Sequence, residues 1–297
     1  MKRIKIIENP AAGLQQSGKN LSLICEKLLN AGFELGKFRT RQKEDGYYEA
    51  IHSHKTNWDM IIVSGGDGTV NEVINGLASV GSAIPVAIHS RGTVNDFATY
   101  MNIPDEVDDF VHMIENPFIK TIDLGKSDDK YFINVAACGN FANVGHQTDK
   151  NLKAVFGRFA YLVEGFKEIP STLSEPMKLT LEIDGEVIKE QAYLMILSNT
   201  TTVGGFEKIA PNASLYDGKL DLLLFRKTPY LADLAQIFIK TLAGEHISKD
   251  SVLYLQASEV KVYSEGKIPV DIDGEFNGYL PKVFSVKKGG INIITNP

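Results

Sequence analysis

Two cysteines, Cys25 and Cys138, are all the chain carries in 297 residues. Both sit in apolar stretches, so they read as reduced core thiols rather than as a disulfide. No Cys/His spacing suits zinc, and His52 and His54, flanking one serine, read as a solvated helix face. No apolar run approaches the length that crosses a bilayer. The opening "MKRIKIIENPAAG" has too short an apolar run for a secretory leader, and Lys5 interrupts it, so it reads as a first strand. A net charge of −6 argues against a nucleic-acid binder whose whole surface is basic and leaves a local basic patch open. Internal repeats, low-complexity tracts and long linkers are also missing. What remains is 43% hydrophobic and 23% charged, the composition of a soluble globular protein, and long enough for two modest domains.

The first part alternates strand and helix patterns. "RIKIIEN" reads as a strand, "SGKNLSLICEKLLNAG" as a helix, "FELGKFRT" as a strand, and Lys43 to Lys55 as a polar helix. "WDMIIVSGG" is a buried strand, "TVNEVINGLAS" a helix with Val70, Val73, Ile74 and Leu77 at helical spacing, and "AIPVAIHS" another strand. "VNDFATYMN" and "DEVDDFVHMIEN" follow as helices. This order predicts a parallel sheet between two helical layers over residues 1–124, a three-layer α/β domain. From 125 to 297 the pattern is mainly strand, predicting an antiparallel β-sandwich. "IKTIDLGKSDDKYFINVAACG" reads as two strands, and "SVLYLQASEVKVYSE" as one. Helices are expected over the segment around 150–168 and over about 230–242. The last strand, about 288–297, is expected to pack back on the first domain.

"DMIIVSGGDGTVNEVINGL" puts three glycines and an acid where a strand becomes a helix. Such a turn lies at the carboxyl edge of a parallel sheet, where these folds bind ligands. The helix start favours phosphate, and Gly65, Gly66 and Gly68 remove side chains that would block it. Thr69 can cap the helix or bind a phosphate oxygen. A Walker loop needs a Lys-Ser/Thr pair that is missing here, and the dinucleotide fingerprint needs a glycine where Asn71 stands. Asp67 beside a phosphate-binding turn makes sense if it holds a metal, a metal-bound water or a hydroxyl proton, which suits Mg-nucleotide chemistry. "NPAAG", Thr40 and "GTVNDF" supply further loops at the same edge, with a second acid, Asp96. Ser17 and Lys19 either reach a phosphate or serve a plain loop and helix cap.

"NPAAG", "SGGDGTVNEVINGL" and "RGTVNDFA", in this order, resemble the catalytic domain of the diacylglycerol kinase family, its soluble bacterial branch above all. "GGFEKIAPNASLYDGKLDLLLF" and "VDIDGE" resemble that family's second-domain motifs, so the likeness spans nearly the whole chain. GGDGT alone is also similar to NAD kinases and, more loosely, phosphofructokinases; the set of five motifs is far more specific. The resemblance implies a nucleotide domain of the phosphofructokinase and NAD-kinase type. It also implies transfer of the γ-phosphoryl of ATP to the primary hydroxyl of diacylglycerol. Other acceptors left open are a sphingoid or polyprenol lipid, or NAD.

Carried over residue by residue, the resemblance places ATP on Asn9, Pro10, Ala11, Ala12, Gly13, Thr40, Ser64, Gly65, Gly66, Asp67, Gly68, Thr69 and Thr93. Asp67 and Asp96 would orient catalytic Mg2+, directly or through water, with Asp123 joining the network. The general base maps to Glu275, with Asp67 as rival and Asp273 and Asp271 as helpers. A second, structural Mg2+ would sit on Asp217 and the carbonyls of Ser214 and Lys219. Asp-Gly-Glu occurs twice, at Asp184–Glu186 and Asp273–Glu275; the first is a hairpin turn, and only context marks the second. The family often has small hydroxyl residues where Ala11 and Ala12 stand; backbone contacts survive that change and hydroxyl contacts do not. "AACGNFANVG" is less regular than the family's glycine-aromatic motif, leaving the acceptor open. The basic amphipathic segment with Lys150, Lys153, Arg158 and Lys167 is expected to pack on the second domain and touch anionic lipid with its basic end. The expected partners are ATP and a membrane lipid met at the bilayer surface, with no nucleic acid and a homodimer left open. The expected location is cytoplasmic, peripheral to the inner face of the membrane.

Overall fold

The computed structural model describes residues 2–12, 15–92, 95–139, 176–202, 209–228, 240 and 251–297. Two compact units are formed, one by Met1–Ile122 with Gly289–Pro297 and the other by Asp123–Lys288. The expected helix around 150–168 lies outside the described residues, as does that over 230–242 except for Lys240.

The first unit runs β1 (Arg3–Glu8), α1 (Gln15–Asn30), β2 (Glu34–Arg39), α2 (Asp45–Lys55), β3 (Met60–Gly65), α3 (Asp67–Ser79), β4 (Val86–Ser90), α4 (Asp96–Tyr100) and α5 (Val107–Glu115). β1 lies between β2 and β3, and β3 pairs with β4, all parallel. All six residues of β3 are buried, as expected of a strand covered on both faces. On one face Ile4, Ile6, Ile62 and Ala87 pack with Leu21, Ile24 and Leu28 of α1 and Phe110 and Ile114 of α5. Each of the Ile, Leu and Phe side chains contributes roughly 1.5–3 kcal/mol when fully buried. α2 packs on α3, so closely that a Cβ at Gly76 would stand 2.4 Å from the Tyr47 carbonyl oxygen. α4 stops at Tyr100, shorter than the sequence pattern reads, because the chain turns left-handed at Asn102 before Pro104.

The chain then enters the second unit along β5 (Phe118–Ser127), followed by β6 (Lys130–Phe132), β7 (Val135–Gly139), β8 (Met177–Ile183), β9 (Glu186–Ser198), β10 (Leu220–Arg226), β11 (Val252–Ala257), β12 (Glu259–Ser264), β13 (Pro269–Ile272), β14 (Glu275–Tyr279) and β15 (Lys282–Thr295). Pairing within this unit is antiparallel, in the order β14-β13-β7-β9-β8-β12-β15, and β10 pairs with β9 and β11. β9 is the hub: its first half pairs with β8, its second half with both β7 and β10. The core is apolar, built from Leu179, Leu181, Met195, Leu197, Leu222, Leu224, Val260, Val262 and Phe284. The stretch read as one strand is two, β11 and β12, separated at Ser258. The far end of β15 belongs to the first unit, where Ile293 pairs parallel with Val86 of β4.

Candidate active site

In the first unit, the loops after β1, β3 and β4 meet at the carboxyl edge of the sheet. Asn9 fastens two of them. Its N–H donates to the Ser64 carbonyl (2.8 Å) and its side-chain amide to Thr69 Oγ1 (3.0 Å). Its own carbonyl oxygens draw the next residues into a tight turn, with Ala11 N on Oδ1 at 3.0 Å and Ala12 N on the main chain at 3.2 Å. Pro10 and Ala11 are exposed, and Ala12 is half-buried. Thr40 is buried at the end of β2, its N–H on the Glu8 carbonyl at 2.9 Å. The side chain of Ser64 faces away from solvent and bonds His89 Nδ1 at 2.9 Å.

The glycine turn and the β4 loop touch backbone to backbone. A Cβ on Gly92 would fall 3.0 Å from Gly66 Cα, and one on Gly65 2.7 Å from Thr69 Oγ1, so neither position tolerates a side chain. Gly66 caps α3 from an extended conformation with no side-chain hydrogen bond. A helix start of that kind presents its first N–H groups to an incoming oxygen. Asp67 lies in that first turn, half-buried, and the helix field favours its charge. Asn95, which the sequence reading passed over, holds the opposite loop: its Oδ1 accepts from Gly92 N (2.8 Å) and its amide donates to Gly92 O (3.0 Å), from a left-handed backbone at φ 52°. Gly66, Asp67, Ser90 and Asn95 line a void of about 10 Å³, room for roughly one water. Gly13, Thr93 and the side chains of Ser17, Lys19 and Asp96 lie outside the described residues.

A charged cluster sits on the α1-facing side of the same strands. Glu8, buried, meets Lys37 Nζ and Arg39 Nε at 2.9 Å each and Arg91 Nη1 at 3.4 Å. Burial alone would raise its carboxyl, but the Lys37 and Arg39 hydrogen bonds outweigh it and hold it below the usual range. Burial, with the Arg91 charge second, pushes the His89 imidazole down to about 4, so it is neutral in ordinary buffers. Sequence reading missed this cluster because its members are up to 83 residues apart and share no motif.

In the second unit, Asp123 is buried and ties the loop ahead of β10. Its N–H donates to Leu215 O (2.8 Å) and its Oδ2 accepts from Gly218 N (2.8 Å). Asn199 donates to the Asp123 carbonyl at 3.1 Å. In that loop Asp217 is exposed and uses Oδ1 to take the Lys219 N–H at 3.0 Å, while the Ser214 hydroxyl accepts from Tyr216 N at 3.2 Å. An exposed carboxylate is the kind of oxygen ligand that hard cations take. Four residues after Asp217, Asp221 is fully buried and accepts from the Tyr254 hydroxyl and from Gln256 Nε2 at 3.3 Å. Burial raises its carboxyl against those hydrogen bonds. The sequence reading had passed it over as part of a strand.

Asp273 and Glu275 flank the β13–β14 turn. Asp273 is left-handed (φ 46°), followed by Gly274 (φ 84°). Its carboxylate accepts three backbone N–H groups, from Ile133 (2.6 Å), Asn134 (2.9 Å) and Val135 (2.9 Å). Asp273 therefore braces the turn on the segment entering β7. Glu275 opens β14, exposed, across from Ile272. Asp271 sits on β13 opposite Phe276 and Ala137 and does not share a strand face with Asp273, which has left the strand.

Comparison with known proteins covers both units. Residues 3–127 match the family model of the diacylglycerol kinase catalytic domain, and residues 134–295 that of the YegS C-terminal NAD kinase beta sandwich-like domain. The chain is 36% identical over 294 residues to the diacylglycerol kinase of Staphylococcus saprophyticus, covering 99% of this chain and 95% of that protein. It is 35% identical over 285 residues to that of Bacillus subtilis (strain 168), covering 96% and 93%. A crystal structure of a diacylglycerol kinase from Bacillus anthracis str. Sterne superposes with a TM-score of 0.83 at 27% identity, covering 100% of this chain and 97% of that one.

Proposed function

The chain belongs to the diacylglycerol kinase family, and on that premise we propose that it phosphorylates the primary hydroxyl of diacylglycerol with ATP, giving phosphatidic acid and ADP. Membership in a kinase family implies a nucleotide and a divalent metal. The observation that carries the nucleotide end is the meeting of two glycine loops at a helix start without a side-chain cap, with Asp67 in its first turn. Asn9 ties the loop after β1 to the glycine turn through Ser64 and Thr69, and the backbone N–H groups of α3 receive phosphate oxygens. Mg2+ would be oriented by Asp67 and Asp96 and would neutralise charge on the transferring phosphoryl group. A second Mg2+ would be structural, on Asp217 and the carbonyls of Ser214 and Lys219.

In the transfer, the lipid hydroxyl oxygen forms a bond to the γ-phosphorus as the bond to the β,γ-bridging oxygen breaks, and ADP leaves. The hydroxyl proton passes to the Glu275 carboxylate; Asp67 is the rival acceptor. The brace on Asp273 fixes the backbone that presents Glu275, the kind of support a positioned base needs. The acceptor is met at the bilayer surface, with the chain peripheral to the inner face. Labelled ATP supplied with micelles of diacylglycerol, sphingosine and undecaprenol and with soluble NAD tests the reading. Label in phosphatidic acid is expected, and label in NAD alone would defeat it.

A further inference from the structure

The Glu8 cluster is unbalanced in a way that the fold does not require. One carboxylate faces three cations, and the best-served of these are the exposed ones. Glu8 Oε2 is shared by Lys37 and Arg39 at 2.9 Å, leaving Oε1 for Arg91 at 3.4 Å. Yet the Arg91 side chain is only 4% exposed, against 36% for Lys37 and 66% for Arg39. A guanidinium cannot shed its proton, so a buried one needs a full counter-charge and filled hydrogen bonds. Arg91 has neither: its Nε is buried and has no hydrogen-bond partner among the described residues. Its backbone is fixed by an N–H donated to Gly65 O at 2.9 Å, and Gly92 follows it directly. The under-compensated charge thus belongs to the residue whose backbone pairs with Gly65 and leads directly into Gly92.

We propose that Arg91 is a nucleotide-binding residue, its guanidinium taking an oxygen of the nucleotide's phosphate chain in competition with Glu8, the weak counter-ion it otherwise faces. An anion there would complete the charge balance and fill the open Nε–H with a charge-assisted bond. The inference rests on the kinase reading and gives a role to a residue, the first of "RGTVNDFA", to which the resemblance assigned none.

The test uses the full chain without lipid, binding the non-hydrolysable β,γ-imido analogue of ATP with Mg2+ in a calorimeter, with thermal melting alongside. Arg91→Met is expected to weaken binding roughly 10- to 100-fold, the scale of a charged hydrogen bond. Arg91→Lys, which keeps the charge without the fork, recovers part of that loss. Glu8→Gln breaks the same ion pair but is expected to bind at least as tightly as the parent, since a competing anion is gone. A plain structural pin makes the opposite prediction. Equal losses in Arg91→Met and Glu8→Gln, or no loss in Arg91→Met, would overturn the assignment. Should Arg91→Met fail to fold, Arg91→Lys and Glu8→Gln decide by the same contrast. A parent chain that binds no nucleotide would overturn the kinase reading, and the assignment with it.

Discussion

The same three residues, Asp-Gly-Glu, turn the chain twice in the second unit, between β8 and β9 and between β13 and β14. The backbones match: φ is 47° and 95° at Asp184 and Gly185, and 46° and 84° at Asp273 and Gly274. Both aspartates reach out of the turn to bind backbone N–H groups elsewhere. Asp184 takes Ser258 N, the Ser258 hydroxyl and Glu259 N; Asp273 takes Ile133, Asn134 and Val135 N. Both glutamates open the following strand, and both are exposed. The turns differ in what they brace and in how deeply the aspartate sits, exposed at Asp184 and half-buried at Asp273. A turn's local chemistry therefore specifies its shape and says nothing of its role. The proposal separates them by placing the reaction's base on the second turn alone.

The largest effect expected from that separation is on turnover. Glu275→Gln should lower kcat by roughly 10²- to 10⁴-fold, the range for a general base, with nucleotide affinity unchanged. Glu186→Gln should leave steady-state rates within about twofold; a comparable loss there would erase the distinction between the turns. The next effect is on stability. Asp273→Asn, which strips charge from a carboxylate holding three N–H groups, should cost about 1–3 kcal/mol in a denaturant titration, and Asp184→Asn less because water screens it. The smallest is the pH dependence of that second variant. Burial works against the Asp184 carboxylate, but the Ser258 hydroxyl and the Ser258 and Glu259 N–H groups prevail and lower its pKa. Its contribution is therefore present above the usual Asp range near about 3.9 and lost as pH falls through the lower folded value. The melting gap between the parent and Asp184→Asn should close on acidification below about pH 4; a gap that widened would contradict the lowered pKa.

The hairpins themselves were legible, because Asp-Gly between alternating strands selects a tight turn whose first two φ values are positive. So was the α/β order of the first unit, carried by unbroken apolar strands such as Met60–Val63 and by helical spacing from Val70 to Leu77. What the aspartates of the hairpins do was not legible. The pattern "SVLYLQASEVKVYSE" alternates well enough to read as one strand, and the break at Ser258 lies beside N–H groups taken by an aspartate 74 residues earlier. The Glu8 cluster escaped for the same reason: strand order β4-β3-β1-β2 brings residues 8, 37, 39 and 91 together, and strand order is not written in local periodicity. At the site, the glycine loops could be read from the missing side chains, whereas Asn95 and Asp221 resembled ordinary polar residues until their partners were in place. Glu275 stood out only through the family resemblance, since its neighbour in sequence and its turn are those of Glu186.

A single-turnover measurement reaches the central claim most directly. With enzyme in excess over labelled ATP, in micelles of diacylglycerol, rapid quenching isolates phosphoryl transfer from product release. If Glu275 takes the hydroxyl proton, the parent and Glu186→Gln should form labelled phosphatidic acid at the same rate, and Glu275→Gln should form it at least about 100 times more slowly. A Glu275→Gln rate equal to that of the parent would contradict the account.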